Sequence, residues 1–324
     1  MKKLLAASLA LLAAVSLSAL DISILAEYGN NSMSWMSDAP VADANFPYTN
    51  WLPGTEIFLS EAFGDSGISF SMHYSLDPVL RSVLTGTIMY QLGIFKLGIG
   101  PMVGIFNTWE TPAKAGIASQ FGIDILGSFF GGIDVGSSIG IPPSTAGDYM
   151  QEYNSIYAGY YLTNAICTFS VSTKTMMRMV SATDKITDKS TEYGFMTQLF
   201  KKSLPYGLNL GFSAVKLSRD YGAGVVDSLF NLTVQTKFSW SLVPGIELQA
   251  LFSGVVYSLG MDALAGRGID PNALLFTAGL GITIRPGLYR ASEKPETVEE
   301  LPETTQEAQS PADPAPAPEA GTNP

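Results

Sequence analysis

Apolar and polar residues alternate one for one along most of the middle of this chain. Between residues 274 and 285, Leu274, Phe276, Ala278, Leu280, Ile282 and Ile284 fall on one side of an extended backbone. Leu275, Thr277, Gly279, Gly281, Thr283 and Arg285 fall on the other. A period of two marks a β-strand with one apolar and one polar face. The same rhythm sets Ile68, Phe70, Met72 and Tyr74 against Ser69, Ser71, His73 and Ser75. It sets Ile117, Phe121, Ile123 and Ile125 against Gln120, Gly122 and Asp124, and Phe230, Leu232, Val234, Thr236, Phe238 and Trp240 against Asn231, Thr233, Gln235, Lys237 and Ser239. The pattern predicts fourteen strands, at residues 22–28, 55–63, 67–76, 83–92, 95–106, 116–126, 130–141, 150–162, 165–178, 191–201, 206–217, 228–240, 245–258 and 273–285. Most are long enough to cross a bilayer at a tilt, which takes about nine to eleven residues.

Two-faced strands can stack as sheets with the apolar faces inside, or close into a membrane barrel with those faces outside. In the barrel, lipid cannot solvate polar groups but a wet lumen can. Connection lengths separate the two. After even-numbered strands the connections are tight, at 64–66, 93–94, 127–129, 163–164, 202–205 and 241–244. After odd-numbered strands they are mostly longer and polar, as at 29–54, 179–190 and 259–272. Membrane barrels keep short turns on the periplasmic side and longer loops outside, and with an even strand count both termini share the turn side. A soluble sandwich has no reason for that asymmetry. Aromatic residues also gather at predicted strand ends. Phe63, Tyr90, Phe95, Phe129, Phe130, Tyr160, Tyr161, Tyr206 and Trp240 lie on the turn side, and Tyr28, Tyr74, Phe106, Trp109, Tyr153 and Tyr257 towards the loops. Two such rows match interfacial girdles. The fold expected is all-β: a single transmembrane antiparallel up-and-down β-barrel of about fourteen strands with a disordered C-terminal tail.

Both ends differ from this middle. Met1-Lys2-Lys3 followed by the apolar run 4–15 and a small-residue site at Ser16-Leu17-Ser18 predicts a signal peptide, too short for a membrane helix. Beyond residue 291 the composition turns to Glu, Pro, Ala, Gln and Thr, which cannot bury enough apolar surface to fold. The expected division is therefore 1–18 signal peptide, 19–290 barrel and 291–324 acidic Pro/Ala-rich tail, free to meet a periplasmic partner. Much of the net charge of −11 lies in that tail, and nothing in the chain gives the basic footprint of nucleic-acid binding. A single cysteine, Cys167, excludes a disulfide framework and is expected to face lipid.

In the last strand, Thr277, Gly279, Ile282 and Ile284 resemble the C-terminal insertion signal of bacterial outer-membrane β-barrels: polar, any, Gly, any, any, hydrophobic, any, hydrophobic. The resemblance implies outer-membrane lipids and the barrel insertion machinery as partners. The signal peptide and acidic tail also look like those of spirochaetal outer-membrane proteins. A porin-like channel for small hydrophilic solutes is the function implied, in the outer membrane of a diderm bacterium with periplasmic termini. Two other readings stay open: a fatty-acid-transporter-like barrel, whose family carries an N-terminal plug that has no room here before the first strand, and a surface adhesin or structural anchor. The anchor would use the long first loop with Trp35, Phe46, Tyr48 and Trp51.

Little here points to catalysis. His73 with Ser69, Ser71 and Ser75 has the residue types of an outer-membrane phospholipase. That family presents its nucleophile and base to lipid, however, and this face is predicted luminal. Residues two apart on a strand are also roughly 7 Å apart, beyond hydrogen-bond reach. No enzyme and no cofactor are expected. One histidine, one cysteine and scattered carboxylates make no metal-ligand spacing, and loop aspartates Asp38, Asp43, Asp262 and Asp270 read as solubilising rather than as a calcium site. Gly98, Gly100 and Gly104 lack the spacing of a nucleotide fingerprint and read as small luminal residues. The candidate pore-lining residues are Glu56, His73, Lys96, Asp124, Asp134, Lys174, Arg178, Lys237 and Glu247, with Glu192 and Arg285 beside them. Singly they are expected to pair across the wall, and together to set a field at a constriction. The remaining luminal positions are mostly Gly, Ser, Thr, Asn and Gln, so the wall is expected to leave the lumen open unless a loop plugs it.

Overall fold

The computed structural model describes residues 20–30, 52–77, 79–106, 112–125, 127–138, 145–200, 204–222, 224–261 and 274–286. The strands are β1 (Asp21–Gly29), β2 (Leu52–Ala62), β3 (Ile68–Asp77), β4 (Arg81–Leu92), β5 (Phe95–Ile105), β6 (Lys114–Ile125) and β7 (Phe129–Ser137). They continue as β8 (Tyr149–Leu162), β9 (Ala165–Met179), β10 (Lys185–Phe200), β11 (Tyr206–Asp220), β12 (Val226–Val243), β13 (Ile246–Leu259) and β14 (Phe276–Ile284). Each pairs antiparallel with its neighbours in the chain. β14 returns to β1, with Ile22 opposite Ile284 and Gly29 opposite Thr277, so the sheet closes on itself. Closure leaves no unpaired sheet edge, and every strand keeps one face in and one out.

All fourteen expected strands are present, but several ends move. β10 begins at Lys185, so the expected connection 179–190 shrinks to 180–184, closed by the Val180 N–H on the Asp184 carbonyl at 2.9 Å. Residues 185–190 look like loop because their outward positions, Lys185, Thr187 and Lys189, are polar. They nevertheless pair with β9, Lys185 opposite Met179 through Ser190 opposite Lys174. β7 stops at Ser137 rather than 141, and β12 runs on to Val243, past the expected end at 240. The wall is consequently uneven. β8 to β13 run 14 to 18 residues each. β14 and β1 to β7 run only 9 to 12.

Large apolar side chains stand exposed on the outside, among them Ile117, Phe121, Phe169, Phe212, Val234, Phe238 and, at 73% of its full surface, Leu280. Two clusters of buried side chains sit inside the barrel instead, at its loop end. One joins Val79, Leu217, Leu229, Met261 and Leu275, and the other Leu80, Val83, Met102 and Ala118 with Tyr153 against them. A soluble sandwich would reverse this arrangement.

Candidate functional site

The lumen is built around the shortest of the described loop-side connections. β3 and β4 are joined by residues 78–80 alone, with Asp77 opposite Arg81 at the base. Asp77 Oδ1 accepts the backbone N–H groups of Val79 at 2.7 Å and Leu80 at 2.8 Å, which folds the turn locally. Arg81 closes it at φ 63, the one positive φ among described residues other than glycine. A side chain in that left-handed region costs roughly 1–2 kcal/mol, so surrounding contacts must hold it.

Those contacts lie across the lumen. Val79 and Leu80 are 4% and 5% exposed, although they form the tip of a hairpin. Leu80 belongs to the cluster that contains Met102 of β5, and Val79 to the one that contains Leu229 of β12. β5 and β12 are half the ring apart, so the tip bridges opposite walls. Lys174 of β9 forms an ion pair with Asp77, and the fully buried Gln151 of β8 donates to the Leu80 carbonyl. Around the tip, Arg219 grips Asp188 through two bonds of 2.5 and 2.7 Å. The Tyr149 hydroxyl reaches the Gly104 carbonyl at 3.0 Å, and the Arg178 guanidinium lies 5.8 Å from the centre of the Phe106 ring.

Below the hairpin, towards the tight turns, the lumen opens into two chambers. The upper, of about 520 Å³, has Leu80 and Val83 at one end and Glu56, His73, Lys174, Lys237 and Gln249 around it. The lower, of about 710 Å³, is bordered by Asp21, Ser60, Glu61, Lys96, Gly122 and Tyr157. Phe58, Ser71, Gln120 and Asp134 border both and so form the waist between them.

Of the sequence-predicted residues, Glu56, His73, Asp134, Lys174 and Lys237 come together in the upper chamber, and Lys96 and Asp134 in the lower. Lys96 pairs with Asp124 at 2.8 Å, and Glu247 with Arg285 at 3.6 Å. Arg178 stands at the loop end, outside both chambers, and Glu192 lies opposite Ser172 in the ladder. The Phe58 ring meets His73 edge-on at 6.3 Å, and no cluster of potential metal ligands occurs among the described residues. Thr277 and Gly279 lie opposite Gly29 and Glu27 where β14 meets β1, while Ile282 and Ile284 follow Leu280 on the outer face. Cys167 is buried, beside Thr197 at 3.7 Å. Trp35, Asp38, Asp43, Phe46, Tyr48, Trp51, Trp109, Asp262 and Asp270 lie outside the described residues, as do both expected terminal segments.

Two expectations need correction. Phe130, Tyr161, Phe106 and Tyr153 do not belong to outer girdles. Phe130 packs on Tyr161 at 5.0 Å, Tyr161 points its hydroxyl at Asp124, Phe106 packs on Tyr149, and Tyr153 joins the inner cluster. The doublets Phe129-Phe130 and Tyr160-Tyr161 put an aromatic ring on both faces, so alternation cannot assign them. Nor does the wall leave the lumen open throughout, because Tyr149, Met102, Met176 and Leu229 fill its loop end. Asp77, Asp188 and Arg219 lie on strand ends that extend past the expected limits at 76, 191 and 217. The signal for the hairpin was present: two apolar residues, Val79 and Leu80, at a tip that solvent should have made polar.

No protein-family model matches the chain, and no curated protein does. Solved structures do match in outline. An outer-membrane channel from Pseudomonas putida F1 aligns at 8% identity and TM-score 0.41, covering 82% of this chain and 95% of that one. The outer-membrane protein OmpT of Vibrio cholerae, folded in vitro, aligns at 9% identity and TM-score 0.41, over 82% and 96%. Salmonella typhi OmpF in complex with daunomycin aligns at 9% and 0.38, over 82% and 96%. Likeness at this level says nothing of function, and the barrel rests on its own strand register.

Proposed function

We propose that this protein spans the outer membrane of a diderm bacterium as a channel for small hydrophilic solutes, with the hairpin at residues 77–81 as its constriction. The single observation behind this reading is the turned-out wall. Apolar side chains face outward on a closed barrel, while Ser, Thr, Gln, Asp, Glu and Lys side chains border chambers inside it. Such a wall is stable only with lipid outside and water within. The tight turns would face the periplasm, and Thr277, Gly279, Ile282 and Ile284 would serve as the insertion signal in the strand that closes the ring. Unequal arms of the wall suit this placement. Polar outward positions such as Thr175, Lys189, Lys216 and Ser228 lie at the loop ends of the tall strands, where the wall would stand clear of the bilayer.

The test is conductance of the purified protein in a planar bilayer. Discrete ohmic steps are expected, with ion selectivity that follows the inward charges. A heat-modifiable, folded barrel that gives no steps, even with residues 32–50 deleted and the hairpin tip made polar, would sink the channel reading and favour an anchor.

A further inference from the structure

The inner face of β8 repeats a ring every fourth residue: Tyr149, Tyr153, Tyr157 and Tyr161. At about 3.3 Å per residue, successive rings stand about 13 Å apart along the wall. Glycines opposite leave room for the rings close against the sheet. A Cβ on Gly136 would come within 2.3 Å of Tyr153 Cε1, and one on Gly132 within 2.5 Å of the Tyr157 hydroxyl. Tyr153 borders the upper chamber and Tyr157 the lower, so each ring presents part of its surface to the lumen.

Between those two platforms runs a polar row. Asp134 sits on β7 between Gly132 and Gly136, with Gln120 and Ser155 as its neighbours across the strands. Asp134 and Gln120 border both chambers. Elsewhere in the lumen Asp77, Asp124 and Glu247 are tied to Lys174, Lys96 and Arg285, but no ion pair or side-chain hydrogen bond among the described residues engages Asp134. It is a free acceptor at the waist, flanked by aromatic faces.

We propose that this stretch of wall binds neutral pyranose rings, as a subsite on the route of the solutes. A pyranose has an apolar C–H face that packs on a flat aromatic ring, and an edge of adjacent hydroxyls that a carboxylate and a carboxamide accept and donate to. Platforms alternating with a hydrogen-bonding row offer both on three adjacent strands, β6 to β8. Asp134, with Asp21 and Glu61 at the lower chamber, disfavours anionic rings such as nucleotides. The inference rests on the channel reading only for how the sugar arrives.

The experiment uses the full protein in detergent, with methyl glucopyranoside as probe and sorbitol as an acyclic polyol of similar size. Saturation-transfer NMR reads binding, and block of the ion current in a planar bilayer reads passage. The pyranoside should bind and block, and sorbitol should do neither to a comparable extent. Tyr157→Phe should retain binding. Tyr157→Leu, which fills the space over Gly132 without a flat face, should lose it. Asp134→Ala should weaken binding about tenfold, the factor expected for lost hydrogen bonds to a charged group. Each variant is compared only as a heat-modifiable barrel. If Tyr157→Leu does not fold, the Tyr157→Phe and Asp134→Ala pair decides. Equal responses to pyranoside and sorbitol, or pyranoside binding unmoved by Asp134→Ala, would overturn the subsite while leaving a conducting channel intact. Pyranoside binding without current steps would spare the subsite and sink the channel.

Discussion

The two ends of the lumen share one wall and behave as different materials. At the turn end, Lys96 and Asp124 pair with the lysine side chain 38% exposed, and the chamber beside them is bordered by small polar residues. At the loop end, Arg219 and Asp188 pair almost wholly out of solvent, among Met176, Leu217, Leu229 and the hairpin tip. At the loop end the inward strand positions carry large side chains, Tyr149, Met102, Met176 and Leu229, and the hairpin tip adds Val79 and Leu80 to them. A barrel can therefore carry an open half bordered by polar side chains and a packed core in series, with Leu80 at the boundary.

The largest effect should come from breaking the dry pair. Asp188→Asn removes the charge that holds the buried Arg219 guanidinium through two bonds, at a cost of about 3–5 kcal/mol. Lys96→Gln at the wet end should cost no more than about 1 kcal/mol, because exposed pairs contribute little. Denaturant unfolding of both variants in detergent measures the contrast. Equal losses would mean that the two ends are equally hydrated.

Next comes the wall itself. Val234→Arg places a charge on the outward face of β12 and should cost roughly 2–4 kcal/mol in lipid vesicles, while its inward neighbour Gln235→Arg should be tolerated. Equal destabilisation would place solvent on both faces. That outcome would contradict the inside-out arrangement on which the contrast between the two ends depends.

How much of this was legible follows from the same physics. Alternation of period two survives wherever one face is apolar, so strands such as 67–76 and 228–240 could be read directly, along with the inward positions of Glu56, His73 and Lys237. It fails where both faces carry similar residues. Phe129-Phe130 and Tyr160-Tyr161 are doublets, and of these rings only Phe130 lies opposite a glycine, Gly159, which leaves it room inside. It fails again above the apolar band, where 185–190 is polar on its outer face and imitates a loop. The hairpin was hidden for a different reason. The strands expected at 67–76 and 83–92 leave residues 77–82 as a loop, and its apolar pair, Val79 and Leu80, does not say which strands the tip will meet.

A smaller effect concerns selectivity. Changing Glu56, Asp124, Asp134 and Glu247 together to their amides should shift the reversal potential towards anions without touching backbone pairing. The shift should grow at low salt, where the Debye length of about 30 Å at 0.01 M spans the lumen. A shift independent of salt would argue against a field from these four groups.

The most direct measurement is single-channel conductance with the hairpin tip made hydratable, Val79→Ser with Leu80→Ser, in a barrel shown to be folded. Removing the apolar tip from the two clusters should let water through the loop end and give larger steps than the unaltered protein. Steps of unchanged size would mean that the constriction lies elsewhere, and that residues 77–81 do not close this channel.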